Sequence, residues 1–189
     1  MMGPYLGGLL YGDGTSNYGK KNKAYAVWID QHQRNLLIVE RAKIEFQKLG
    51  LNVHYYSYSN KIRAMVYSKQ LFREFREMKQ NPQIFFSKLS KSNKMEFIAG
   101  FFDAEGTVTD RLVVYNGNID ILKEIQKFLT ILEIYGKIYR YGKIHGLQIY
   151  KIKEIVLMQK YIPSIKILSS VLSVKKRRGV LIGNDLYTP

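Results

Sequence analysis

Hydrophobic positions along this chain fall into two rhythms, one helical and one alternating, and the order of the rhythms occurs twice. Residues 5–12 read Tyr-Leu-Gly-Gly-Leu-Leu-Tyr-Gly, an apolar run with small residues four apart at Gly8 and Gly12. The run predicts a buried helix, and Pro4 suits its first turn. Thr15–Lys23 is polar and predicts a strand or a hairpin loop with a basic tip. Ala24–Gln31 is β-rich and predicts a strand. Leu36, Leu37, Val39, Ile44, Phe46 and Leu49 recur at roughly helical spacing, so 35–49 predicts a helix closed by Gly50. Leu51–Ser59 and Lys61–Tyr67 predict a hairpin turning at Ser59-Asn60. In its second strand Ile62, Ala64 and Val66 share one face, and Lys61, Arg63, Met65 and Tyr67 share the other. Lys69–Met78 and Gln83–Leu89 predict helices split near Pro82.

Lys91–Lys94 is a polar break and reads as a linker, after which the series restarts. Residues 97–104, Phe-Ile-Ala-Gly-Phe-Phe-Asp-Ala, again hold small residues four apart, at Gly100 and Ala104. Arg111–Tyr115 predicts a strand with Leu112 and Val114 inward and Arg111, Val113 and Tyr115 outward. Asp120–Leu132 predicts a helix capped by Asn118, and Gly136 stands where Gly50 stood. Lys137–Tyr141 and Ile144–Tyr150 predict a hairpin around Gly142-Lys143. Lys153–Tyr161 and Ser164–Val174 predict helices either side of Pro163. The chain therefore reads as an internal duplication, with halves at 1–92 and 93–183 and a tail at 184–189. The predicted class is α+β: two pseudo-symmetric αββαββα halves packed through their apolar helices. Two antiparallel, saddle-like sheets would flank the pseudo-twofold axis, each covered by helices on one face and polar on the other.

Chemistry enters where each apolar helix stops. The first ends Asp13-Gly14-Thr15 and the second Glu105-Gly106-Thr107, with the acids 92 residues apart. Gly14 and Gly106 occupy helix-stop positions, so each acid lies in a last turn. A carboxylate there opposes the helix dipole at a cost of up to about 1 kcal/mol. Small residues four apart let two helix backbones approach closely, a steric rule best known from membranes but general in origin. Side by side and parallel, the helices would deliver both acids to one end, where two carboxylates invite a divalent cation.

Composition narrows the partner. With 30 Lys+Arg against 15 Asp+Glu, the formal charge is +15. A chain this basic points to an acidic partner, nucleic acid ahead of a membrane surface or an RNA scaffold. The absence of cysteine excludes disulfides, Cys-ligated zinc, a Cys nucleophile and Cys-initiated protein splicing. His32, His54 and His145 lack metal-ligand spacing. No run of eighteen apolar residues and no signal-peptide pattern is present, so the expected location is intracellular, in the cytoplasm with DNA, and no membrane partner is expected.

Both Tyr5–Thr15 and Phe97–Thr107 resemble, at nearly every position, the LAGLIDADG motif of homing endonucleases, in the double-motif, monomeric form of archaeal introns. The resemblance implies hydrolysis of one phosphodiester in each DNA strand, across the minor groove, leaving short 3′ overhangs at a long, non-palindromic intron-insertion site. It implies Mg²⁺, with Mn²⁺ as a substitute, held by Asp13 and Glu105 and by the backbone carbonyls of Gly12 and Ala104. Asp103 is more simply a helix-interface or structural acid, because residues two apart on a helix do not share a face. The resemblance also gives Gln31 a catalytic role at the end of a strand. The corresponding Asn116-Gly117 departs from that pattern, so the second half lacks the group. Lys69 and Lys153, each after the last strand of its half, match catalytic positions; each is equally well read as a solvated helix start.

Outward strand residues would meet the DNA: Trp28, Tyr56, Tyr58, Lys61, Arg63 and Tyr67 in the first half, and Thr107, Arg111, Tyr115, Lys137, Tyr139, Tyr141, Gln148 and Tyr150 in the second. A two-stranded ribbon fits the major groove, where such side chains read base edges. Lys20, Lys21, Lys23, Lys143 and the basic run 175–178 suit phosphates. Strands of about seven residues span about 23 Å, which at about 3.4 Å per base pair gives a site of order twenty pairs. A second class of function uses the same fold without cutting, as an intron RNA maturase, with intron RNA as partner, or as a DNA-binding regulator. An intein-borne nuclease has no support, because no splicing domain flanks the motifs.

Overall fold

The computed structural model describes residues 1–21 and 23–169. The basic run 175–178, the last part of the predicted 164–174 helix and the tail lie outside the described residues. Element order is α1 (Pro4–Asp13), β1 (Gly14–Gly19), β2 (Ala24–His32), α2 (Leu36–Lys48), β3 (His54–Tyr58), β4 (Lys61–Tyr67), α3 (Lys69–Gln80) and α4 (Pro82–Ser87). It continues as α5 (Lys91–Glu105), β5 (Gly106–Val108), β6 (Leu112–Asn116), α6 (Ile119–Ile131), β7 (Lys137–Tyr141), β8 (Ile144–Ile149) and α7 (Ile152–Tyr161). A helical segment, α8, includes 165–169, the last of the described residues. The strands form two four-stranded antiparallel sheets, ordered β1-β2-β4-β3 and β5-β6-β8-β7. The same α+β unit is thus built twice.

The two units meet along α1 and α5, and the contact is symmetric to the residue. A Cβ on Gly8 would sit 1.9 Å from the carbonyl oxygen of Phe97 and 2.7 Å from the amide of Phe101. A Cβ on Gly100 would sit 2.0 Å from the carbonyl oxygen of Tyr5 and 2.8 Å from the amide of Leu9. The pairs 8/100, 5/97 and 9/101 each differ by the same 92 residues that separate the acids. Further along, a Cβ on Gly12 would meet Ala104 Cβ at 2.4 Å. The helices run parallel, backbone against backbone, because these positions carry no bulkier side chain.

Around that axis the alternation predicted for the first sheet holds in β2 and β4; in the second, Val113 and Gln148, expected outward, are buried, because Tyr141 and Arg111 close over that part of the face. In β4, Ala64 and Val66 are buried and Lys61 and Tyr67 exposed. In β2, Val27, Ile29 and Gln31 are buried, with Trp28 and Asp30 on the opposite face. The inner faces pack on Ile38, Val39, Ala42 and Phe46 of α2, on Leu71, Phe75 and Met78 of α3, and on Ile121, Leu122 and Ile125 of α6. Phe86 of α4 reaches into the second half, edge-on to Phe128 of α6 at 6.1 Å. Asn118 caps α6 as predicted, accepting from the amide of Asp120. No described helix is long and apolar enough to cross a membrane.

Three local expectations need correction. Lys91–Lys94 is the first turn of α5, capped by Ser90, rather than a break. Gly14 and Gly106 do stop their helices, but with φ of −73° and −77°, not in the left-handed region. Glycine is required there by space: a Cβ would come within 2.2 Å of the Leu10 carbonyl oxygen or 2.3 Å of that of Phe102. Gly136 is not a second Gly50. Gly50 takes φ +71° after α2, but after α6 the left-handed residue is Glu133, at φ 60°.

Candidate active site at the paired helix ends

Because α1 and α5 are parallel and in register, their last turns finish side by side. Asp13 and Glu105 are each half-buried at that end. Burial pushes both carboxyls above the usual range, and the Asp13 charge pushes Glu105 further. Two lysines oppose this. Lys79, in the last turn of α3, donates to the Tyr11 carbonyl at 2.5 Å. Lys166, in α8, donates to the carbonyls of Ala104 and Gly106 at 2.9 and 3.0 Å. Each ammonium therefore covers the negative end of one motif helix, where a cation is favoured by the dipole and by unsatisfied carbonyls. Each also acts on both acids. Burial lowers the Lys166 ammonium from its ordinary value, and Asp13, Asp103 and Glu105 draw it back up.

Gln31 lies where its strand position predicts. It is only 4 % exposed, and its amide donates to Asp13 Oδ2. Its own oxygen accepts from Asn35 Nδ2 at 2.8 Å, so an amide pair at the β2–α2 junction sets the direction of the Asp13 carboxylate. Strand register agrees with Asn116 as the counterpart of Gln31. Gly14 pairs with Ile29 and Gly106 with Val114, so Gln31 and Asn116 each stand two residues past the partner of the glycine that follows the acid. The second half has the amide, but Asn116 Oδ1 accepts from the Tyr11 hydroxyl at 3.1 Å and the Asn118 amide at 2.8 Å.

Lys69 and Lys153 are not at the acids. Lys69 lies exposed over Tyr25, six residues up β2 from Gln31, about 20 Å away along an extended strand. Lys153 follows β8, whose Ile149 pairs with Leu112 at the end of β6 away from Asn116. The lysines that do converge, Lys79 and Lys166, were missed. Lys79 had a faint signal, lying four residues after Phe75 and beside the buried stripe of α3; Lys166 had none.

The remaining expected contacts lie on the outward faces and at the strand ends, with Gln148 buried among them. Across the first sheet, Trp28 pairs with Met65, and Tyr56 and Tyr58 with Arg63 and Lys61. Arg63 is already held, donating to both oxygens of Asp30 at 2.8 and 2.9 Å, with its guanidinium 4.8 Å from the Trp28 ring. Burial would raise Asp30, but Arg63, Tyr58 and Trp28 hold its carboxyl below the usual range. Across the second sheet, Thr107 pairs with Val113, Val113 and Lys137 with Gln148, Tyr115 and Tyr139 with Gly146, and Tyr141 with Ile144. Gln148 donates to the Tyr141 hydroxyl, and the Tyr115 and Tyr141 rings meet edge-on at 5.6 Å. Arg111 sits in the turn before β6, bound to Asp110 at 2.7 Å, and Tyr150 directly follows β8. Lys20, Lys21 and Lys23 form the β1–β2 tip and Lys143 the β7–β8 turn, all exposed.

A family model for the LAGLIDADG-like domain matches residues 92–163, the second motif and the elements after it. The first half repeats that motif and that topology. Residues 92–163 carry a LAGLIDADG-like domain. An uncharacterized protein of Methanocaldococcus jannaschii is 28 % identical over 141 residues, 71 % of this chain. The chain spans half the length of that relative. Among solved structures, I-DmoI in complex with DNA and Mn aligns with a TM-score of 0.68 at 23 % identity, covering 84 % of this chain and 94 % of that one. I-DmoI in complex with DNA and Ca gives 0.69 at 23 %, covering 86 % and 90 %. The full-length DUF199/WhiA protein from Thermatoga maritima gives 0.65 at 15 %, covering 96 % and 62 %. At these identities the likeness is one of fold.

Proposed function

We propose that the protein is a monomeric, site-specific double-strand DNA endonuclease that hydrolyses one phosphodiester per strand with a divalent metal, Mg²⁺ in the first place. The observation that carries the reading is the convergence of Asp13 and Glu105 at one end of two register-locked helices, each beside a lysine. The donor set suits a hard cation. It offers carboxylate and carbonyl oxygens, and among the described residues no group of three His, Cys, Asp or Glu completes a closed cage. Mg²⁺ binds in that way, through one or two carboxylates with water and phosphate oxygens making up the shell. Asp13 and Glu105 would hold it, with the Gly12 carbonyl; the Ala104 carbonyl is shared with Lys166. The ion supplies charge neutralisation and a water acidic enough to attack phosphorus.

The chain's own groups do the rest. Gln31, fixed by Asn35, holds the Asp13 carboxylate in one direction. Lys79 and Lys166 place positive charge where an anionic phosphate would develop further charge. The outward faces of both sheets, with basic tips at 20–23 and 143, would lie along the duplex. Minor-groove cutting with short 3′ overhangs, at a non-palindromic intron site of order twenty base pairs, accords with two unlike halves in one chain. A non-cutting role on DNA or intron RNA is the second reading; the fold likeness to the DUF199/WhiA protein favours keeping it, and the retention of both acids speaks against it.

A supercoiled plasmid library carrying randomised 24-base-pair inserts separates them. With Mg²⁺ a sequence-defined subset should become linear, and EDTA should abolish this. Retention of DNA with no linear product in Mg²⁺ or Mn²⁺ would establish the second reading. Binding should weaken steeply with salt through counterion release.

A further inference from the structure

Asp103 shares the second motif with Glu105 but lies on the other side of α5, fully buried. Its Oδ1 accepts from the Ser164 hydroxyl at 2.6 Å and the Lys166 amide at 3.0 Å. Its Oδ2 accepts from the Tyr5 hydroxyl at 2.9 Å and the Ile165 amide at 3.1 Å. Ser164 in turn accepts from the Ile167 amide at 3.2 Å. Asp103 and Ser164 together satisfy the free amides at the start of α8, and a carboxylate suits that position electrostatically. The residue so placed is Lys166, whose ammonium closes the end of α5 two residues from Asp103.

We propose that Asp103 is the positioning residue for Lys166: the motif helix carries, two residues before Glu105, a second acid that builds the mount for the lysine at that helix's own C-terminal end. The catalytic consequence rests on the endonuclease reading; the positioning does not. The first half has no such device. Tyr11 stands at the Asp103 position, and Lys79 is carried by the long helix α3. An amide cannot replace the carboxylate. Each oxygen of Asp103 receives one backbone amide, so the side-chain nitrogen introduced by Asp103→Asn would, in either orientation, face an N–H that cannot accept. The Tyr5 and Ser164 hydroxyls can turn; the amides of Ile165 and Lys166 cannot.

The test has two arms. In hydrogen exchange on the intact protein, Asp103→Asn should speed exchange at 164–167 at least about tenfold and leave α3, which carries Lys79, protected. Ser164→Ala, a milder change, should do so to a smaller degree. Unchanged exchange in both variants overturns the proposal whether or not the protein cuts DNA. In strand-resolved cleavage of a plasmid that the wild type cuts, Asp103→Asn should slow the two strands in the same ratio as Lys166→Met, and adding it to Lys166→Met should slow cutting less than about twofold further. A strand ratio unlike that of Lys166→Met, or additive losses, overturns it. If the wild type cuts nothing, the endonuclease reading fails and the exchange arm alone decides the mount.

Discussion

The two halves agree where backbones touch and disagree where polar side chains do. Along the axis, Gly8 and Gly100 meet the same partners across 92 residues, to within about a tenth of an ångström. Away from the axis the likeness ends. The first half has a hairpin with strands of six and nine residues, and its amide, Gln31, points at Asp13. The second has strands of three and five, and its amide, Asn116, is held by Tyr11 of the other half. One lysine comes from the last turn of α3 and the other from the first turn of α8, whose leading amides bind Asp103. Steric contact between parallel helices admits few solutions, so both copies keep it. A hydrogen bond near a solvent-open site can be rebuilt from either side, so the copies have drifted apart in how they orient similar groups.

The comparison breaks first at the acids. Asp13→Asn and Glu105→Gln should each lower double-strand cutting on the order of 10³-fold or more while binding stays within a few fold, measured by plasmid linearisation and by mobility shift. Full cutting by one variant alone would show that the halves do not share the chemistry. Next come the axis glycines. Gly8→Ala and Gly100→Ala force a methyl into an opposing carbonyl, so each should cost about 3 kcal/mol or more, roughly 6–12 °C in melting temperature for a chain of this size. Unequal losses would contradict the symmetry of the contact.

The amides should then separate the halves. Gln31→Ala should slow cutting roughly 10²-fold, because it frees the Asp13 carboxylate, and Asn116→Ala less than about tenfold; strand-resolved kinetics measure both. The smallest effect is on stability. Asp13 and Glu105 have raised carboxyls in the folded state. Their contribution to stability is therefore full below the ordinary carboxylate range and lost as pH rises through their raised values. Without metal, Asp13→Asn should melt a few degrees higher than wild type at pH 8, and the gap should close as pH falls toward 4 in calorimetric scans. A gap that widens on acidification would reverse the sign.

Much of this was legible in the chain. Alternation in Lys61–Tyr67 gave the sheet face, Asn118 gave a cap, and glycine spacing gave the helix pair. Gln31 was legible because it ends a strand just before a helix. Lys79 and Lys166 were not, since nothing local marks a lysine whose ammonium reaches the end of a helix 60 or more residues earlier in the chain. Asn116 was legible as the counterpart of Gln31, but its partners, the Tyr11 hydroxyl and the Asn118 amide, were not, because the tertiary fold sets the direction of its side chain.

The sequence by itself determined the duplication, the α+β class and the delivery of two acids to one place. Those follow from apolar period and small-residue spacing, which act locally and leave one way to pack. The tertiary structure alone decided which cations face the acids, which amide holds Asp13 and what Asp103 supports. Those depend on hydrogen bonds between segments far apart in the chain, whose directions no local pattern encodes.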